Sequence, residues 1–139
     1  MPHLVLLYTP NLEAETDMTA LCRTLAAGML QLRDEAGEQV FPTGGTRVLA
    51  YPAAHFAVAD GQGDYAFIYM NLRMGAGRSA AVQKAAGDAV LERARAHLGP
   101  LFERRLLGLT VQVDESPGQV YDGKHSTLHP HFSGKPDAT

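Results

Sequence analysis

A chain of 139 residues, 45% apolar and 19% charged, has the composition of one globular domain with enough residues to bury a core. Its formal net charge of −3 gives no clustered basic footprint for nucleic acid, and no apolar run approaches the ~18 residues that a membrane helix needs. No secretory leader is visible, and Cys22 is the only cysteine, so no intramolecular disulfide can form and a reducing cytoplasm is the expected compartment.

Residues 3–8 predict a first strand. Leu4, Val5, Leu6 and Leu7 are apolar without alternation, the pattern of a strand buried on both faces. "TPNLEAET" reads as a turn. Asp17 suits an N-cap, and Met18, Leu21, Cys22, Leu25, Met29 and Leu32 then recur at steps of three and four. That spacing predicts an amphipathic helix over 18–33, broken by "DEAGEQVFPTGG". "TRVLAYPAAHFAVA", residues 46–59, reads as extended, with Pro52 confining it to a sheet edge or a bulge. "DGQGD" predicts a turn, and "YAFIYMNLR" a strong strand of aromatic and branched residues. Ser79 suits the cap of a second helix over 80–98, where Val82, Ala86, Val90, Ala94 and Leu98 form an i+4 row. "LLGLTVQVDE" predicts the last strand. From Ser116 the text turns to Gly, Pro, His and polar residues, either an irregular tail or one that packs on a neighbouring subunit. The chain thus divides into a domain over 1–115 and a tail over 116–139.

The order is β-α-β, turn, β-α-β. Each unit makes a crossover between parallel strands. The expected fold class is α/β (α+β): tandem β-α-β units giving a four-stranded sheet with two helices on one face. The other face would be bare. Strands this apolar need a cover, and another subunit is the simplest one, so an oligomer packed sheet to sheet is expected. Val5, Leu7, Phe67 and Tyr69 are candidates for that contact.

Four features bear on chemistry. Pro2 follows the initiator methionine directly. If Met1 is removed, Pro2 becomes a secondary amine fixed to a strand, and burial or nearby cations would lower its pKa from the ~8 of an ordinary α-amine. From position alone, the plainer reading is a common second residue that permits methionine removal. "MGAGRS", residues 74–79, stands at a strand-to-helix junction, where backbone N–H groups and Arg78 favour anions. It lacks the lysine of a P-loop and the third spaced glycine of a dinucleotide fingerprint. Arg47 opens an apolar strand after "PTGG", either at an exposed entry or aimed into a polar pocket; with Arg78 it would make a fork-shaped site for carboxylates. His125, His129 and His131 are spaced as metal ligands are, but sit in a Pro-Gly-rich tail without a helical frame, and no metal site is expected. Cys22 lies on the core face of its helix and reads as packing.

Several stretches, in this order and spacing, carry a resemblance: "MPH" at the start, "FP…G…R" over 41–47, "ADGQGDYAF" over 59–67, "GAGRS" over 75–79 and "ERRLLGLT" over 103–110. The chain resembles the 5-carboxymethyl-2-hydroxymuconate isomerase family of the tautomerase superfamily, from residue 1 to about residue 113. The resemblance implies a β-α-β-β-α-β protomer in a homotrimer with sheets facing inward. It implies removal of Met1, proton transfer by the Pro2 amine and carboxylate binding by Arg47 and Arg78. The implied reaction turns a 2-hydroxymuconate-type dienol into its conjugated enone in homoprotocatechuate breakdown, without a cofactor. The small-molecule carboxylate would then be the partner, with no nucleic acid and no membrane. Two other readings stay open: a tautomerase acting on a different enol or unsaturated acid, and a non-enzymatic oligomeric anion-binding module in which Pro2 is incidental.

Overall fold

The computed structural model describes residues 2–134. Four strands, β1 (His3–Tyr8), β2 (Arg47–Pro52), β3 (Ala66–Gly75) and β4 (Leu107–Ser116), form one mixed sheet in the order β2-β1-β3-β4. β1 and β2 run parallel, as do β3 and β4, and the two pairs meet antiparallel along β1 and β3. Helix α1 (Met18–Gln31) joins the first pair and α2 (Ala80–Phe102) the second. This is the expected tandem β-α-β sheet, with a short third helix, α3 (Leu128–Ser133), added in the tail.

The continuous apolar run of β1 resolves into two faces. Leu4, Leu6 and Tyr8 are buried with Ile68, Met70 and Leu72 of β3 against Leu21, Leu25 and Met29 of α1 and the predicted row Ala86, Val90, Ala94 and Leu98 of α2. Both long helices therefore cover one face. The alternate residues form the other, where Leu7, Leu49 and Tyr51 are about half exposed beside Val5, Phe67 and Tyr69. A strand built for burial on both faces is thus covered on only one by its own chain.

Local chemistry sets the element ends. Asp17 Oδ1 accepts from the Ala20 N–H at 3.0 Å, and Ser79 Oγ from the Val82 N–H at 3.2 Å, so both predicted caps form. α1 stops two residues short of the expected end. Asp34 Oδ1 gathers the N–H groups of Ala36 and Glu38, each at 2.9 Å, and this side-chain turn competes with helix. α2 runs past the expected stop at Leu98 through Pro100, because one more turn buries Leu101. The extended reading over 46–59 holds only to Pro52. β2 is an edge strand, and its single partner β1 ends at Tyr8, whose carbonyl takes one last bond from the Ala53 N–H at 2.8 Å. The tail beyond Ser116 is not wholly irregular: α3 packs on the turn Thr43–Gly45 of its own chain.

"ADGQGDYAF" and "ERRLLGLT" meet at the end of the sheet where β3 and β4 begin. Arg105, its side chain almost wholly buried, pairs with Asp64 at 3.1 Å and with Glu15; Arg104 reaches the same Glu15 at 2.9 Å. Asn11 donates to Asp64 at 3.0 Å, and this bond first, then Arg105, holds the Asp64 carboxyl below its usual range. These stretches clamp the start of the second unit.

Candidate active site

The site residues collect at the opposite end, where β1 and β2 begin and β3 and β4 finish. Pro2 is buried and leads directly into β1, an inner strand hydrogen-bonded on both sides. His3 lies in register with Arg47 on β2 and with Arg73 on β3. Residues paired in register share a face, so Arg47, His3 and Arg73 stand side by side on the open face, adjacent strands about 4.8 Å apart. The sheet alternation puts Pro2 on the helix-covered side with Leu4.

Arg78 reaches the same end from three residues past β3. Its Nη1 donates to the Gly75 carbonyl at 3.3 Å and its Nη2 to the Val40 carbonyl at 3.2 Å. The guanidinium lies 5.0 Å from the centre of the Phe41 ring, which is fully buried. Arg47 Nη1 donates to the Gly45 carbonyl at 3.3 Å. Ser79, the cap of α2, also donates to Glu35 Oε1 at 2.7 Å, which holds the Glu35 carboxyl below its usual range. That bond ties the first turn of α2, and so the backbone of Arg78, to the loop after α1.

The topology therefore brings the candidates Pro2, Arg47 and Arg78 to one end of the sheet. It adds three groups that the sequence reading did not assign. Phe41 is the stacking surface under Arg78. Arg73 is a further cation, signalled in sequence by polar Asn71 and Arg73 alternating with apolar Met70 and Leu72. His3 lies in register between two arginines. Its pKa is lowered, first by burial, then by Arg47, the positive chain terminus and Arg73. The tail histidines stay apart from this set in sequence: His129 and His131 lie on α3, and His125 precedes it. Among the described residues no group of three or more His, Cys, Asp or Glu side chains stands close enough to hold a metal ion. No helix among them is long and apolar enough to cross a membrane. Cys22 is half-buried and burial raises its thiol pKa, in line with a packing role.

Duplicated β-α-β halves that meet antiparallel around a proline-led inner strand put the protein among the tautomerase-like folds. Comparisons with known proteins narrow this. The family model for 5-carboxymethyl-2-hydroxymuconate isomerase matches residues 2–132. A solved 5-carboxymethyl-2-hydroxymuconate delta-isomerase is 55% identical with a TM-score of 0.90, over 95% of this chain and 93% of that one. A solved isomerase of the same description from Deinococcus radiodurans R1 is 32% identical with a TM-score of 0.82, over 94% and 93%. The 5-carboxymethyl-2-hydroxymuconate Delta-isomerase of Escherichia coli is 32% identical over 115 residues, 83% of this chain and 86% of that protein. The chain belongs to the 5-carboxymethyl-2-hydroxymuconate isomerase family of the tautomerase superfamily. It is an isomerase, and its reaction is the isomerisation of 5-carboxymethyl-2-hydroxymuconate.

The crowding of cations around His3 has a measurable consequence. NMR titration should give His3 a midpoint below the ordinary ~6.5. Arg47→Met or Arg73→Met should raise it part of the way, since burial, the larger cause, remains. The unfolded chain then takes up this proton at higher pH than the folded one. The stability His3 contributes is fully present above the ordinary value and is lost as pH falls through the folded one. A midpoint at or above the ordinary value would show that the two arginines do not act on His3.

Proposed function

We propose that the isomerisation runs on the Pro2 amine, with Arg47 and Arg78 holding substrate carboxylates, inside a homotrimer whose subunits cover one another's open sheet face. The observation that carries the reading is the buried Pro2 at the head of an inner strand, with Arg47 one register step away and Arg78 braced at the same end.

The chemistry needs few parts. The dienol gives up its 2-hydroxyl proton, the electrons shift along the diene, and a proton arrives at the far carbon to leave a conjugated enone. One group that accepts a proton and returns it does both steps, and an amine neutral near working pH is suited to that. Nearby guanidinium groups disfavour a second positive charge and so favour the neutral amine. The same groups attract the carboxylates and stabilise charge developing on the 2-oxygen. Arg78 is suited to this because two carbonyls and a ring set its orientation, and none of these partners cancels its charge. The amine exists only after Met1 is removed; with Met1 in place the nitrogen is an amide and cannot accept the proton.

The pH profile of turnover in processed enzyme, compared with the Pro2 titration by isotope-labelled NMR, tests the role of the amine. Both should show the same pKa near neutrality. Alkylation of the amine, or retention of Met1, should remove nearly all activity, while Pro2→Ala should keep a weak remnant. A fully protonated Pro2 at pH 7 in an enzyme at full rate would end the assignment.

Arg78→Ala should lower kcat/KM by about 10²-fold, the scale of a ~3 kcal/mol charged contact. Steady-state kinetics on the folded variant check this, and unchanged constants would take Arg78 out of the site. For the assembly, light scattering should give a trimer at micromolar concentration, and Leu7→Glu on the open face should lower its mass. A stable monomer of the unaltered chain would leave Leu7, Leu49 and Tyr51 exposed in solution and refute the trimer.

A further inference from the structure

The tail after β4 follows a path that the sheet order dictates. β4 ends at Ser116, in register with Gly75 at the close of β3. The next ordered element, α3, sits on Thr43–Gly45, the turn that leads into Arg47. Those two points lie on opposite edges of the sheet, three strand spacings of about 4.8 Å apart, roughly 14 Å. Residues 117–127 must cross that distance. The end they cross is the one where β3 finishes and β1 begins, the end that holds Pro2.

Both ends of this crossing are built. Ser116 is buried, and its hydroxyl oxygen accepts from Arg73 Nη2 at 3.3 Å, the Gly118 N–H at 3.4 Å and Gln119 Nε2 at 3.3 Å. Gly118 then turns the chain at φ 116°, a conformation that suits glycine. At the other end Gly44 lets backbone meet backbone. A Cβ there would stand 2.7 Å from His129 Cα and 3.1 Å from the Leu128 carbonyl oxygen. Between the anchors, Lys124 Nζ contacts Asp122 Oδ2 at 2.5 Å. Lys124 is the one lysine or arginine between the anchors, so it is the full positive charge that the crossing carries.

Resting on the reading that Pro2 marks the active site, we infer that residues 116–133 form a strap across that site and that Lys124 on it binds a substrate carboxylate. The substrate carries three carboxylates; Arg47 and Arg78 answer two, while Arg73 turns to the Ser116 hydroxyl at the foot of the strap. The third belongs to the carboxymethyl arm, which distinguishes this substrate from plain 2-hydroxymuconate. Asp122 is a carboxylate that Lys124 holds in the structure, and the carboxymethyl group takes its place when substrate binds. Lys124 is thereby the residue that reads the extra arm.

Kinetics of Lys124→Met with two dienols test this. With 5-carboxymethyl-2-hydroxymuconate, KM should rise about tenfold or more, the scale of a charged hydrogen bond, while kcat stays within about twofold. With 2-hydroxymuconate, used as substrate or, where turnover is slow, as competitive inhibitor, the constant should not move. Lys124→Arg should keep most of the discrimination. No change with either dienol, or an equal change with both, overturns the assignment of Lys124. Alkylation of the Pro2 amine in these variants abolishes turnover whichever way the Lys124 result falls, so failure of the strap and failure of the Pro2 reading are told apart.

Discussion

Strand β1 is hydrogen-bonded on both sides, and the candidate site depends on that. Chain termini usually fray, since their backbone has few partners. Here the first strand lies between β2 and β3, and Leu4 and Leu6 on it are fully buried. The start of the chain is thus among its best-held parts, and whatever group sits at residue 2 inherits that order. The same ladder bonds bring Arg47 and Arg73 alongside His3. Two of the cations at this end are therefore placed by strand register, while Arg78, beyond the end of β3, is placed by its side-chain contacts.

The means of bracing matters. Arg78 is held by the carbonyls of Gly75 and Val40 and by the Phe41 ring. Carbonyls and rings orient a guanidinium without neutralising it, so its charge stays available to an anion. Arg105, at the other end of the sheet, is held by the carboxylates of Glu15 and Asp64. Its charge is spent within the fold, where it ties α2 and the start of β4 to the loop before α1. Two arginines of the same chain therefore do different work, and the difference lies in their partners rather than in their exposure.

Most of the architecture was legible because it rests on periodicity and capping. The rows on α1 and α2, the caps Asp17 and Ser79 and the four strands all appear where spacing and side-chain chemistry predict them. Element ends were less legible, because they depend on partners distant in sequence. Residues after Pro52 look extended, yet no strand remains beside them once β1 has ended. Leu101 carries α2 through Pro100 because it finds a buried place, which the text "LGPLF" does not announce. At the site, Pro2, Arg47 and Arg78 were readable as residues with unusual neighbours in sequence. Arg73 left only the trace of polar alternation along β3 and Phe41 none, since their importance comes from contacts across loops and strands. The tail misled for the same reason: its Gly and Pro content hid the seat of α3 on Gly44.

The duplicated layout sharpens the question of why only one end of the sheet is suited to chemistry. The second unit offers a counterpart: β3 begins beside β4, as β1 begins beside β2, and Arg105 precedes β4 much as Arg47 opens β2. Yet β3 starts within the chain, so its first nitrogen is an amide with no basicity. A repeated β-α-β unit copies strands, helices and even a cation, but it cannot copy a chain terminus. An arginine at the second end with no anion to bind is a buried charge that must be compensated, and Glu15 and Asp64 compensate it. The two ends differ accordingly: one gathers cations around the start of β1, and the other is closed by carboxylates.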